Sequence, residues 1–127
     1  MSAVRRKDTA PELIVRKAAH GLGLRFRLQG RQLPGRPDLI LPRWNTAIFV
    51  NGCFWHRHPG CKLATVPKSN TAFWQLKFRN NQRRDAVNYG LLDKLGWRVI
   101  ILWQCEVETF GAATKALKPH FRASRTL

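Results

Sequence analysis

The stretch Asn51-Gly52-Cys53-Phe54-Trp55-His56-Arg57-His58-Pro59-Gly60-Cys61 holds two of the chain's three cysteines and two of its four histidines. Three chemistries suit these residue types: a metal site, a catalytic histidine, and an aromatic pair that meets a ligand. The spacing Cys53-x4-His58-x2-Cys61 brings two thiolates and an imidazole together. Cys105 completes a tetrahedron if the strand before it neighbours the strand before Asn51. That set, Cys53, His58, Cys61 and Cys105, is a structural zinc site with no open position, and it uses every cysteine of the chain. His56 is the alternative ligand, through the tighter Cys53-x2-His56 spacing, and spacing alone does not choose between the two. The competing reading is three buried thiols and two solvent-facing histidines. Structural zinc contributes about 10–16 kcal/mol of apparent binding energy that is also folding energy, enough to order a long irregular loop.

Metal-assisted hydrolysis of a phosphodiester needs a carboxylate on a rigid element, and the chain has only seven acids. Asp8 can cap a helix, Asp85 and Asp93 lie on a basic helix, and Glu106 and Glu108 open the last helix. Asp38 differs, because it follows Leu33-Pro34-Gly35-Arg36-Pro37 and enters a strand, although closing a Pro-Gly turn is a competing role for it. Glu12 is explained by a helix capping box with Thr9, and a metal role competes with that. His56, if it is not a zinc ligand, titrates near neutrality and suits a general base. Phe54 and Trp55 cannot both point into a core from adjacent loop positions, which favours contact with a ligand. Trp74 either packs in a core beside Phe73 or joins that pair.

These side chains need elements to hold them. Thr9-Ala10-Pro11-Glu12 predicts a helix start, running to about His20 and ended by Gly21 or Gly23. Leu24 to Gln29 alternates apolar and polar residues, as a half-buried strand does. A turn-rich loop over 30–37 leads into a short strand, Asp38 to Leu41, then a central strand, Thr46 to Val50. Ser69 or Asn70 caps a long helix from about Thr71 to Leu95, with Phe73, Leu76, Val87, Leu91, Leu92 and Leu95 as candidates for its inner face, and Gly96 ends it. Trp97 to Trp103 is a second apolar strand, parallel to its neighbour because a helix of that length is a natural crossover. Glu106 to Lys118 is a final helix. The order α-β-β-β-α-β-α predicts a mixed sheet flanked by helices.

A chain of 127 residues forms one domain. It carries 23 Lys and Arg against 7 Asp and Glu, a net charge of +16 that calls for a polyanion, with nucleic acid the leading candidate. Lys77, Asn81, Arg83 and Arg84 on the long helix, and Arg5 to Lys7 on a basic arm over residues 1–8, are candidate phosphate contacts. No apolar segment approaches the roughly 20 residues needed to cross a bilayer, and the first dozen residues lack a signal-peptide core. The expected location is a reducing cytosol, where cysteines serve as ligands or free thiols.

Pro34-Gly35-Arg36-Pro37-Asp38, then Phe49-Val50-Asn51-Gly52-Cys53-Phe54-Trp55-His56, then Gly96-Trp97-Arg98-Val99 and Trp103-x-Cys105 resemble the very short patch repair endonucleases. The opening Lys7-Asp8-Thr9-x-Pro11-Glu12 is similar to theirs as well, so the resemblance runs from residue 1 to about residue 107. It implies a restriction-endonuclease-like α/β fold, with a mixed sheet flanked by helices, a structural zinc site and a single endonuclease domain over 1–127. The implied activity is that of a DNA mismatch endonuclease: Mg²⁺-dependent nicking of one strand just 5′ of the thymine in T:G mispairs, which arise when 5-methylcytosine deaminates. By the family pattern Asp38 holds Mg²⁺ together with the backbone carbonyl of Val50, and Glu12 reaches the metals through water. His56 activates the attacking water, and His58 joins Cys53, Cys61 and Cys105 on zinc.

The resemblance also implies that Phe54, Trp55 and Trp74 wedge into the base stack beside the mismatch. A mispaired step unstacks more cheaply, and each base–aromatic stack returns about 1–3 kcal/mol. Met1 and Val4 match an arm that lies against the minor groove, and Lys77, Asn81 and Arg84 are candidate phosphate contacts. The implied partner is double-stranded DNA with a T:G mismatch, bound by a monomer at the bacterial nucleoid in the cytoplasm, with a functional link to a cytosine-5 methyltransferase and to mismatch-repair proteins. One departure stands out: family members often carry histidine where this chain has Asn51. Asparagine can exchange hydrogen bonds with water on a metal but cannot take up a proton, so a slower site governed by His56 alone is expected. The alternatives are a nuclease of the same fold with another DNA target, and a zinc-stabilised DNA-binding module without catalysis.

Overall fold

The computed structural model describes residues 9–28, 30 and 32–122, without the side chain of residue 122. The basic arm over 1–8, with Met1, Val4, Arg5 to Lys7 and Asp8, lies outside the described residues. Helix α1 spans Ala10–Gly21, entered from an extended Thr9 with Pro11 in its first turn. The Thr9 side chain makes no cap hydrogen bond, so the expected reciprocal capping box does not form. Glu12 is instead only 5 % exposed and pairs at 3.6 Å with Arg16 one turn on. Its negative charge lies in the first turn, where the helix dipole favours it. The helix closes with Leu24 N–H on the Ala19 carbonyl and Gly23 N–H on the His20 carbonyl, both at 3.0 Å, the crossed pair of a Schellman motif.

The strand expected over Leu24 to Gln29, the last of which lies outside the described residues, shrinks among the described residues to one antiparallel bridge between Arg27 and Ile40, held by two hydrogen bonds of 2.8 Å. Gly30 N–H turns back to the Leu28 carbonyl at 3.2 Å, which bends the chain off the sheet before a ladder can form. Gly30 is then packed so closely that a Cβ there would lie 2.9 Å from the Pro37 carbonyl oxygen. Alternating polarity alone did not reveal that bend.

Among the described residues the sheet has three strands in the order β1 (Leu39–Leu41), β2 (Thr46–Asn51) and β3 (Arg98–Trp103). β1 runs antiparallel to β2 through the short 3-10 turn Pro42–Trp44. β2 runs parallel to β3 across the long helix α2, Thr71–Lys94, so the expected mixed sheet forms. Asn70 precedes α2 in a left-handed conformation and makes no side-chain cap hydrogen bond. The last helix, α3, is Phe110–Arg122 rather than Glu106 to Lys118. Its N-terminus is capped by Thr109, whose Oγ1 accepts from Ala112 N–H at 3.1 Å. Glu106 belongs to a preceding 3-10 turn, where its carboxylate takes Trp103 N–H at 2.9 Å.

Strand alternation sorts the core onto two faces. Ile48 and Val50 of β2 face α1 and α3, with Val15, Ala19, Leu102 and Leu117 in the same cluster. Ala47 and Phe49 face α2 and pack with Leu92, Tyr89 and Trp97. Asn51 has the parity of Ala47 and Phe49 and ends that second series. The expected inner face of α2 is corrected here: of its six candidates only Leu92 is buried, while Phe73, Leu76, Val87, Leu91 and Leu95 are 44–62 % exposed. Residues of α2 that meet the rest of the protein include Trp74, Phe78, Asn81, Asp85, Tyr89 and Leu92. They recur at the three- and four-residue spacing of one helix face, but five of these six are polar or aromatic and only Leu92 is aliphatic. No helix among the described residues is long and apolar enough to cross a membrane.

Candidate metal centre and hydrolytic cleft

Two parallel strands that end level bring their following residues together. Asn51 and Trp103 are partners in the register of β2 and β3, and two residues past each lie Cys53 and Cys105. His58 N–H returns to the Cys53 carbonyl at 3.0 Å, and its ring stacks on Trp103 at 4.3 Å with an interplanar angle of 13°. His58 Nδ1 then lies 3.7 Å from Cys53 Sγ and 3.4 Å from Cys105 Sγ. With Cys61 Sγ, the four donor atoms all fall within 4.8 Å of one another. A tetrahedral zinc with ordinary bond lengths has ligand–ligand edges of about 3.5–3.8 Å, so the spacing suits such an ion.

The thiols also want a cation. The Leu63 N–H beside Cys61, its largest influence, draws that thiol down to about 7. Burial, then the neighbouring thiols, push Cys105 up to about 12, and burial raises Cys53. One thiol ionises near neutrality, whereas all three ionise together only around a positive ion. Three sulfurs, one imidazole nitrogen and no carboxylate are a donor set consistent with zinc. His56 is not among these donors.

Asp38 is delivered by the turn before it. Arg36 N–H bonds to the Leu33 carbonyl at 3.1 Å, with Pro34 and Gly35 as the central residues of a type II turn. Gly35 has φ +77°, and a Cβ there would lie 3.1 Å from Asn88 Cβ and from the Phe49 ring, so both conformation and space require glycine. Asp38 N–H then bonds to the Ile48 carbonyl at 2.9 Å, and Val50 N–H donates to Asp38 Oδ2 at 2.6 Å. Burial pushes this carboxyl up to about 7 against the pull of the Val50 N–H, and the Glu12 carboxylate raises it further. The structure thus brings two shielded carboxylates, on α1 and at the mouth of β1, within electrostatic reach. A divalent cation between them relieves both burial and repulsion.

His56 Nδ1 lies 2.6 Å from Asp85 Oδ2, with both side chains partly exposed. Asn51, only 4 % exposed, donates from Nδ2 to Tyr89 Oη at 2.8 Å. Burial pushes the Tyr89 phenol up to about 12. Asp85 and Tyr89 lie one turn apart on α2, so one helix face holds both polar residues at the exit of β2. Sequence reasoning missed both. Asp85 reads as one acid on a basic helix and Tyr89 carries no signal of its own, and their partners emerge only once the inner stripe of α2 is known.

Phe54 and Trp55 meet edge to face at 5.0 Å. Trp74 lies 5.8 Å from Phe54 and 5.9 Å from Trp55, and Phe78 closes the cluster 5.2 Å from Phe54. Trp74 is therefore half-buried in this cluster and not in the main core. Arg57 straps the loop. Its guanidinium sits 3.9 Å over the Phe78 ring and donates to the carbonyls of Phe54 at 3.1 Å, Thr65 at 2.9 Å and Ala64 at 3.0 Å. Asn81 Nδ2 reaches the Trp55 carbonyl at 3.4 Å, whereas Lys77 and Arg84 are exposed on α2.

Fold and site together define a small α/β protein whose polar side chains Asp38, Asn51 and His56 and whose cysteine–histidine cluster gather at the carboxyl end of two parallel strands. The family model described as DNA mismatch endonuclease Vsr matches residues 1–62. The type II nicking enzyme V.XorIIP of Xanthomonas oryzae pv. oryzae is 43% identical over 118 residues, 93% of this chain and 86% of that protein. The type II nicking enzyme V.NmeAIP of Neisseria meningitidis is 40% identical over 108 residues, 85% of this chain and 76% of that protein. The DNA mismatch endonuclease Vsr of Escherichia coli is 44% identical over 105 residues, 83% of this chain and 67% of that protein. The chain belongs to the Vsr family.

Proposed function

We propose that this chain is a DNA endonuclease that nicks one strand of a duplex just 5′ of the thymine in a T:G mispair, with Mg²⁺ in the cleft and zinc in the cysteine–histidine cluster. The observation that carries the reading is the shielded Asp38 carboxylate, held by Val50 N–H at 2.6 Å and under the influence of both Glu12 and His56. A buried carboxylate pair beside a histidine–carboxylate pair is an arrangement for metal-assisted phosphodiester hydrolysis. The relatives named as mismatch and nicking endonucleases support the same activity.

In this reading Asp38 and the Val50 carbonyl hold the cation, with Glu12 adding charge at longer range. Mg²⁺ when bound supplies neutralisation and polarisation of the scissile phosphate. Asp85 accepts the Nδ1 proton of His56, which leaves Nε2 free to take a proton from the attacking water, and the imidazolium so formed is stabilised by the same carboxylate. Asn51 adds a hydrogen-bonding amide but no proton acceptor. Zinc on Cys53, His58, Cys61 and Cys105 fixes the loop that carries His56 on one side and Phe54 and Trp55 on the other.

Phe54, Trp55 and Trp74 are the wedge that inserts where a mispaired step unstacks cheaply. Met1 and Val4 belong to an arm along the minor groove, and Lys77, Asn81 and Arg84 line the backbone path, Asn81 while also bracing the Trp55 carbonyl. The working unit is a monomeric single domain in the bacterial cytoplasm, following a cytosine-5 methyltransferase whose product deaminates and sharing substrates with mismatch-repair proteins. Nicking of a T:G duplex with Mg²⁺ tests the reading. The wild type nicks, and Asp38→Ala and His56→Ala bind the duplex without nicking it. A wild type that binds tightly without nicking would instead favour a non-catalytic DNA-binding module.

A further inference from the structure

Asn51 is the last residue of β2 and is nearly inaccessible. A buried amide has a donor end and an acceptor end, and each needs a partner. The donor end is taken by Tyr89 Oη at 2.8 Å. The Tyr89 ring is itself fixed, edge-on against Phe49 at 5.0 Å with an interplanar angle of 65°, and Phe49 lies two residues before Asn51 on the same face of β2. The phenol therefore occupies a set position from which it orients the amide. Among the carboxyl groups that act on the phenol are Asp85 and Asp38, so the amide–phenol pair borders both the histidine–carboxylate pair and the carboxyl group that enters β1. Asp85 and Tyr89, one turn apart on α2, perform parallel tasks: one holds His56 and the other holds Asn51.

We propose that Tyr89 is a positioning residue of the hydrolytic cleft, which by taking Asn51 Nδ2 turns Asn51 Oδ1 towards the water of the cleft beside Asp38 as a fixed hydrogen-bond acceptor. The inference rests on the Mg²⁺-dependent hydrolytic reading above and adds to it a residue on α2 that the sequence did not flag. Phe49 holds the ring, Tyr89 holds the amide, and the amide orients water. Free rotation of the Asn51 side chain would present donor and acceptor ends alternately, and only the acceptor end serves a water that must give up its proton elsewhere.

Tyr89→Phe tests this with little disturbance, since it keeps the ring on Phe49 and removes only the oxygen. Three quantities are read: Mg²⁺ affinity of the DNA-free protein by titration calorimetry, and kcat and KM for nicking a T:G duplex. Loss of a group that orients a site residue typically costs 10–100-fold. Tyr89→Phe is expected to weaken Mg²⁺ binding or lower kcat by about tenfold, at the small end of that range, with KM for DNA unchanged. Asn51→Ala breaks the same pair from the strand side, and reports even where Tyr89→Phe fails to fold. In the double variant the second substitution adds nothing to the first, because the phenol acts only through the amide. Wild-type values in Tyr89→Phe, or losses that add in the double variant, overturn the pair while leaving the hydrolytic reading standing. A wild type that neither binds Mg²⁺ nor nicks overturns that reading and the pair with it.

Discussion

At the residue scale Asp38 sets stability against function. An aspartate titrates near 3.8 in an unfolded chain and near 7 in this fold. Because the folded value is the higher one, folding favours the protonated form. The stability it contributes is complete below about pH 4 and is lost as pH rises through about 7. A shift of this size corresponds to at most roughly 4 kcal/mol. Asp38→Asn removes that loss, and the Asn Oδ1 can still accept Val50 N–H. In divalent-free buffer Asp38→Asn is predicted to melt above the wild type at alkaline pH, with the difference closing as pH falls towards 4, and to have no nicking activity. Thermal melts across that range check it, and a wild type that melts at or above the variant at alkaline pH would contradict it. Asp85→Asn is predicted to lower kcat about 10–100-fold with duplex affinity intact, measured by single-turnover nicking. Asp38 was legible in the sequence because a Pro-Gly turn followed by a strand fixes where a side chain starts. The partnerships of Asp85 with His56 and of Tyr89 with Asn51 were not, because each joins residues that meet only through the packing of α2 on β2.

At the scale of elements, the loop after β2 has little apolar surface of its own and depends on its ties. Cys105 reaches it from the 3-10 turn after β3 and Arg57 ties it to its own far end. Cys105→Ser is predicted to cut zinc content from one ion per chain to a small fraction and to expose the 52–66 segment to protease, as metal analysis and limited proteolysis would show. The parallel pairing and the crossover helix were readable from helix length and apolar runs, and they place Cys105 beside Cys53. The strand over Leu24 to Gln29 was misread, because the turn at Gly30 is a steric event that polarity does not encode. The inner face of α2 was misread for a functional reason: selecting the apolar stripe picks the wrong face of a helix whose contact face carries Asn81, Asp85 and Tyr89. The end of α2 is better specified. Trp97 N–H bonds to the Leu92 carbonyl and Gly96 N–H to the Asp93 carbonyl, both at 3.0 Å, around Gly96 at φ +91°. Gly96→Ala meets no atom within 4 Å, so its cost is conformational, about 1 kcal/mol, and denaturant melts would read it.

For the whole molecule, a charge of +16 on 127 residues makes DNA affinity a matter of released counterions. Affinity is predicted to fall linearly with the logarithm of salt concentration, and Lys77→Ala to weaken binding alike for matched and mismatched duplexes while reducing that slope by about one. Charge draws a basic protein to any duplex, so in the proposed reading discrimination comes from the aromatic cluster and the Asp38–His56 site acting together at one step. The most direct measurement is strand-resolved nicking of an end-labelled T:G duplex beside its T:A counterpart, in Mg²⁺ at fixed salt. The expected result is a single break in the thymine-bearing strand immediately 5′ of the mispaired base, with the T:A duplex left intact. Equal cleavage of the two duplexes, or a break in the guanine-bearing strand, would contradict a mismatch-specific nicking enzyme.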